Sequence, residues 1–343
     1  MTTALLQRRR SARRLGSVSS APVKPIGVLL VNVGSPDAPE TAAVRRYLAE
    51  FLGDPAVVQA PRWLWLPLLH GVILPLRGPK SAELYKRVWT KEGSPLVAIS
   101  LAQGRALQAE LGAAYKVEVA MRYGSPTIAS ALERLSKAGC GELLLVPMFP
   151  QYSGTTSGTV VDEVRRQRAA RGESEPRVVS AFHDDPEYIA ALADGVRLLV
   201  DDQVDHYVFS FHGIPLRYVQ AGDPYREHCE RTANLLAKEL GLARERWTQV
   251  YQSRFGREEW LRPYALEAIP EIARQHKRVV VVCPAFTTDC LETLDEVRRE
   301  LGHVFHSAGG ERWTFVPCLN DDPAWIRALG NLVRRRRFAT VRV

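Results

Sequence analysis

The segment SFHGIP, residues 210–215, ends an apolar run and delivers His212 with Gly213 and Pro215 directly behind it. An imidazole at the carboxyl end of a strand can exchange a proton or ligate a metal near neutral pH. The plainer alternative is a histidine that only caps its strand. The second candidate is CPAFTTDCLETLDE, residues 283–296. A helix starting near 291 puts Leu291, Leu294, Val297 and Leu301 on one face and Asp289, Glu292, Glu296 and Glu300 on the other. Such a line of carboxylates suits a divalent cation or a proton relay. Acids in a first helical turn also cap it and favour the macrodipole, so a solvated charged face stands beside the functional reading.

Three further segments join aromatic and polar residues at strand ends: MRYG at 121–124, FPQYSGTT at 149–156, and YQSRFG at 251–256 with Trp260 shortly after. Aromatic faces supply contact area and guanidinium groups pair with carboxylates, which together suits a flat, acid-bearing ring system. Other chemistries lack their devices. The sequence holds no GxGxxG after the first apolar run, no phosphate-binding GxxxxGK[ST] and no GxSxG elbow. Aromatic and basic residues do not interleave along one strand as RNA-binding sheets require, so no nucleic acid partner is expected.

These residues need a scaffold that gathers strand ends. Residues 26–33 form a buried-type run closed by Gly34-Ser35-Pro36. Further strands are expected at 116–121, 142–148, 177–182, 206–211, 247–252, 278–283 and 313–317. Helices are expected at 40–53, 97–112, 126–138, 158–171, 186–201, 225–240, 264–275, 291–301 and 322–335. The alternation predicts an α/β protein with parallel sheets covered by helices. A single barrel is the alternative. Two Rossmann-like lobes, each a four-stranded parallel sheet flanked by helices, fit the length better: 25–183 and 184–321, with the final helix in 322–343 packed back on the first. Ligands then sit beyond the carboxyl ends of the strands, in the cleft between lobes.

The 343 residues are 46% hydrophobic and 24% charged, an ordinary globular mix. Five cysteines, at 140, 229, 283, 290 and 318, form no CxxC pair, which argues against a disulfide scaffold and fits a reducing, cytoplasmic setting. The net charge of +8 comes mostly from residues 1–24, which hold six basic residues and no acid and are expected to be a disordered basic extension. Residues 61–78, PRWLWLPLLHGVILPLRG, are apolar but too short and too broken by Pro67, Gly71 and Pro75 to span a bilayer. They read either as a buried helix pair or as a lip that touches a membrane or clamps a flat apolar ligand.

In order along 25–335, LLVNVGSPDAP (29–39), EGSPL (92–96), MRYG, FPQYSGTT, SFHGIP, GDPY (222–225), YQSRFG and PAFTTDCLETLDE resemble the ferrochelatase family, in a proteobacterial form. The resemblance implies a two-lobed fold and a lyase that inserts Fe(II) into protoporphyrin IX, the last step of heme synthesis. It implies His212 and Glu292 as catalytic and metal-contacting residues, and Asp289 and Glu296 as a relay. Arg122, Tyr123, Tyr152, Trp260 and Phe286 are implied as porphyrin contacts. Iron enters as substrate, so no cofactor is required. Animal members carry a cysteine after Gln-Tyr-Ser and a C-terminal cysteine group that hold a [2Fe–2S] cluster. Here Gly154 takes the first place and no cysteine follows Cys318, so no cluster is expected. Cys290 stands where many members have histidine. Iron insertion into coproporphyrin, cobalt or nickel chelation, and a non-catalytic porphyrin carrier are the competing readings.

Overall fold

The computed structural model describes residues 24–201 and 203–336; the basic extension, apart from Lys24, and residues 337–343 lie outside them. The first half runs β1 (Ile26–Ser35), α1 (Thr41–Gly53), α2 (Arg62–Leu68), α3 (Leu74–Val88), α4 (Pro95–Leu111), β2 (Tyr115–Gly124), α5 (Ile128–Lys137), β3 (Leu143–Pro147), α6 (Thr159–Ala170) and β4 (Arg177–Val178). The second runs α7 (Pro186–Arg197), β5 (His206–His212), α8 (Leu216–Gln220), α9 (Tyr225–Glu239), β6 (Trp247–Gln252), α10 (Ala265–Gln275), β7 (Arg278–Val282), α11 (Gly302–Ser307), β8 (Arg312–Phe315) and α12 (Pro323–Arg336).

Each half holds one four-stranded parallel sheet, ordered β2-β1-β3-β4 and β6-β5-β7-β8. Strand alternation divides the side chains. Val28 and Leu30 of β1 meet Phe209 and Phe211 of β5 in one core that includes Trp325, Leu329 and Val333 of α12. Leu29 and Val31 face α5 and α6 instead, and Val208 faces α10 and the segment 292–301. The two sheets therefore share a core. Helix α12, expected on the first lobe, packs against both α4 and α7.

Three expectations change. The strand at 177–182 is cut to two residues at a sheet edge; Val179 still donates to the Leu145 carbonyl, and the chain then peels off toward Pro150. The 61–78 segment is helical throughout: α2, a π-helical turn over Leu69–Ile73, then α3. Pro75 sits in the first turn of α3, where a proline is tolerated, and Pro67 falls inside α2 just before the π-helical turn. None of α2 is buried, and Trp63 is 79% and Leu76 64% exposed, so the segment is a lip with an open outer face and not a buried pair. The acidic helix at 291–301 is a π-helix over Glu292–Leu301. Its i→i+5 bonding alters the expected faces: Thr293 and Asp295 are buried with Val297 and Leu301, while Leu291 and Leu294 are only half-buried.

Candidate active site

His212 is the last residue of β5, so its ring stands beyond the carboxyl end of the second sheet. Its carbonyl accepts the Tyr225 hydroxyl at 2.9 Å, and its Nδ1 lies 2.6 Å from the Gly213 carbonyl, which leaves Nε2 to face a ligand. Gly213 is tightly placed: a Cβ would stand 2.9 Å from the Gln252 carbonyl and 3.1 Å from the Trp260 ring. That approach brings Trp260 to 6.5 Å from the imidazole centroid, with Phe286 at 6.4 Å on another side. Trp260 is pinned by a bridge to Pro215 and by donation from its backbone N–H to the Tyr264 hydroxyl at 3.1 Å.

Glu292 reaches the same place from the chain's far end. In the β5–β6 register His212 sits beside Gln252, whose amide donates to the Glu292 carbonyl at 3.4 Å. The next residue, Ser253, donates its backbone N–H to Glu296 at 2.7 Å and its hydroxyl to the same carboxylate. Ser253 has φ of 66°, a left-handed conformation uncommon for a non-glycine residue, so its double hold on Glu296 is bought with local strain. Burial pushes the Glu296 carboxyl above its ordinary range, opposed by the Ser253 hydrogen bond and by His212. Cys290 donates its thiol toward Glu292, and burial, followed by that carboxylate, pushes the thiol up, so it is no thiolate near neutral pH. Tyr47 and Tyr85 of the first half are buried within electrostatic reach of Glu292; burial first, with that carboxylate among the other causes, keeps both phenols protonated.

The Glu292–Glu296 line thus borders His212, but Asp289 does not continue it. Its carboxylate is buried and accepts from Thr293 Oγ1 at 3.0 Å, Asn320 Nδ2 at 2.8 Å and the Cys318 N–H at 3.3 Å. Those donors occupy it as an anchor of the loop ahead of the π-helix. Arg122 and Tyr123 end β2 in the other sheet. Both are held by Asp54: the Arg122 guanidinium at 2.5 Å and the Tyr123 hydroxyl at 2.9 Å, on one carboxylate oxygen. Arg122 also donates to the Thr159 carbonyl at 3.0 Å and lies over the Tyr123 ring. Tyr123 is wholly buried and edge-on to Phe51, so its hydroxyl serves Asp54, while Arg122 is half-buried. Sequence reading missed Asp54, Gln252 and Ser253. The last two lay inside YQSRFG without standing out; Asp54 had as signal only its place after the first helix, in Gly53-Asp54-Pro55.

Tyr152 is half-buried at the seam between halves. Its N–H donates to His228 Nδ1 at 3.1 Å, and next to it Ser153 Oγ and Gly154 N each donate to Asp223 at 2.8 Å. His228 stacks on His183 with centroids 3.7 Å apart. Burial, then the neighbouring imidazole, lowers His183 to about 4 from 6.5. A second stacked pair, His206 and His276, lowers His206 to about 4 in the same way. A histidine depressed in the folded state contributes stability that is complete above about 6.5 and is lost as pH falls through about 4. Thermal melts are therefore expected to show Tm declining across that window. His183→Phe, which keeps a ring against His228 without titrating, is expected to flatten the decline; an unchanged slope counts against the pair as its source.

Two four-stranded parallel sheets, flanked by helices and sharing one core, define a chelatase-type fold. The sirohydrochlorin chelatase SirB from Bacillus subtilis subspecies spizizenii, in complex with cobalt, superposes with a TM-score of 0.55 at 13% identity over 91% of this chain and 95% of that one, a likeness of fold alone. The chain belongs to the ferrochelatase family: the family described as Ferrochelatase matches residues 25–337. It is 46% identical over 319 residues to the ferrochelatase of Aliivibrio fischeri strain MJ11, covering 92% of this chain and 98% of that protein. It is 47% identical over 316 residues to that of Aeromonas hydrophila subsp. hydrophila, covering 90% and 98%. Among the described residues no helix is long and apolar enough to cross a membrane.

Proposed function

We propose that this protein inserts Fe(II) into protoporphyrin IX to give protoheme, with His212 and Glu292 as its catalytic groups. The observation that carries the reading is the family match across residues 25–337, which includes both residues in their motifs. Metallation requires loss of two pyrrole protons and replacement of the water around iron. His212, with Nε2 free, is assigned proton abstraction or delivery of the metal, and Glu292 the complementary part. Glu296 has a raised affinity for protons and sits one turn on, so it receives the proton next. Asp289, assigned to the relay on sequence, acts by holding the loop. Trp260 and Phe286 supply flat apolar walls, Arg122 a cation for an acidic substituent, and Tyr152 the seam side of the pocket. A cleft that binds the ring distorted presents its nitrogens to the metal and favours the transition state over the flat ground state. Iron is substrate here, and no resident cofactor or [2Fe–2S] cluster is assigned.

Purified protein mixed with Fe(II) or Zn(II) and protoporphyrin IX should yield the metalloporphyrin absorption spectrum. Faster turnover of coproporphyrin would move the assignment to that substrate, and porphyrin binding without metallation would make the protein a carrier.

The setting proposed is the cytoplasm, with the lip resting on a membrane surface. Trp63, Leu64, Leu68, Val72 and Leu76 are exposed on one helical segment. An interfacial helix gains by burying such a face. Trp63→Ser is expected to weaken cosedimentation with lipid vesicles about tenfold, from the loss of one buried aromatic. Equal sedimentation of both forms would remove the lip from membrane contact.

A further inference from the structure

Helix α4 carries Gln103 and Gly104 side by side. A Cβ on Gly104 would stand 2.4 Å from a Val119 methyl on β2, so glycine is what lets α4 seat this closely on the first sheet. Gln103 is wholly buried, yet all its hydrogen bonds go to the second half. Its amide nitrogen donates to the Thr287 carbonyl at 3.0 Å and to the Asn320 carbonyl at 2.7 Å, and its oxygen accepts the Thr288 hydroxyl at 3.2 Å. Both amide protons are used.

The bonded groups form one network. The Asn320 N–H donates to the Thr287 carbonyl at 2.9 Å. The Asn320 side chain exchanges two hydrogen bonds with Asp289: it accepts from the backbone N–H at 2.9 Å and donates to the carboxylate at 2.8 Å. Asp289 then accepts from Thr293 inside the π-helix. Thr287 Oγ1 donates to the Met148 carbonyl just past β3 of the first sheet, at 3.2 Å. Every member is satisfied, and the loop so held runs from Phe286 directly into Glu292. A buried network of this kind selects one arrangement of the groups it joins.

We propose that Gln103 is a positioning residue for metallation: from a helix clamped on the first sheet, it fixes the 287–289 turn and so places Glu292 across the crevice from the first half. The inference rests on Glu292 being catalytic, as proposed above. Nothing in it requires Gln103 to touch substrate. Its effect falls mainly on the chemical step, because Glu292 closes the held loop while of the two aromatic walls only Phe286 borders it and Trp260 belongs to another loop.

The test is Gln103→Met, of similar volume and unable to donate or accept in this way. Below its Tm, kcat per folded molecule is expected to fall about 10- to 100-fold, the cost of misplacing a reacting group by about an ångström. The porphyrin Kd, read from fluorescence, changes far less than kcat, because only Phe286 of the two aromatic walls borders the turn. A merely structural stitch would lower Tm and leave kcat of the folded protein unchanged, and that result overturns the proposal. Should Gln103→Met fail to fold, Thr288→Val decides by the same readouts: it keeps the branched shape and deletes the hydroxyl that donates to the Gln103 side-chain oxygen. In a Glu292→Gln background, Gln103→Met should cost no further activity. Full turnover by Glu292→Gln alone would refute the role of Glu292 and this inference with it; an inactive Glu292→Gln beside a fully active Gln103→Met refutes this inference only.

Discussion

Replacing His212 by alanine is expected to lower kcat for metallation about 10²- to 10⁴-fold, the range general acid–base catalysis supplies. The ring is half-buried between Trp260 and Phe286, and its Nδ1 is engaged by the Gly213 carbonyl, so Nε2 is the nitrogen left for proton exchange. Truncation leaves the strand intact. The strand ladder to Gln252 and the acceptor for Tyr225 both use backbone atoms of residue 212. Melting temperature and porphyrin fluorescence quenching should therefore stay near wild type while metalloporphyrin formation collapses. Added imidazole should restore part of the rate by entering the vacated space. A variant that retains normal turnover removes His212 from the mechanism.

Glu292→Gln is the second large effect, again about 10²-fold or more in kcat. The amide keeps the shape and the backbone carbonyl that Gln252 contacts, but it can neither take a proton nor neutralise a divalent cation. The change removes one negative charge facing Tyr47, Tyr85 and the Cys290 thiol, all of which are held protonated partly by that carboxylate. The fold should tolerate the loss. Stopped assays with Fe(II) and Zn(II) separate the two roles. Loss with both metals fits a group needed in the chemical step; loss for one metal alone assigns Glu292 to metal selection. Normal rates with both metals would contradict its assignment.

The scaffold that carries these residues was legible because its signals are local. Parallel strands covered on both faces are continuous apolar runs, and six of the eight appear within two residues of their expected bounds, while β2 runs three residues further than expected. β4 was overestimated because an edge strand needs only enough residues to pair with β3, and Val179 through Phe182 are apolar enough to mimic a longer one. The lip was legible as an apolar segment, read either as a buried helix pair or as an open lip; its helices are there, but their exposed outer face and the π-helical turn at Leu69–Ile73 are set by packing. The α-helical period assigned to the acidic segment was right about where Glu292 and Glu296 fall relative to each other and wrong about the element, because i→i+5 bonding leaves no mark in composition.

What the sequence by itself determined is the set of groups with suitable chemistry and the strand ends that carry them: His212 closing β5, Glu292 and Glu296 one turn apart, Trp260 shortly after the YQSRFG strand end and Phe286 just ahead of Glu292. The tertiary structure alone decided what those groups bond to and how deeply they are buried. Asp289 has the same side chain as any relay carboxylate, but three donors from Thr293, Cys318 and Asn320 make it an anchor. Tyr123 has the type to meet a ligand, but burial and Asp54 claim its hydroxyl. Hydrogen-bond partners far apart in the chain are fixed by packing, and periodicity carries no information about them; that is why Gln103, 184 residues from Thr287, emerges only when α4 is seated on its sheet.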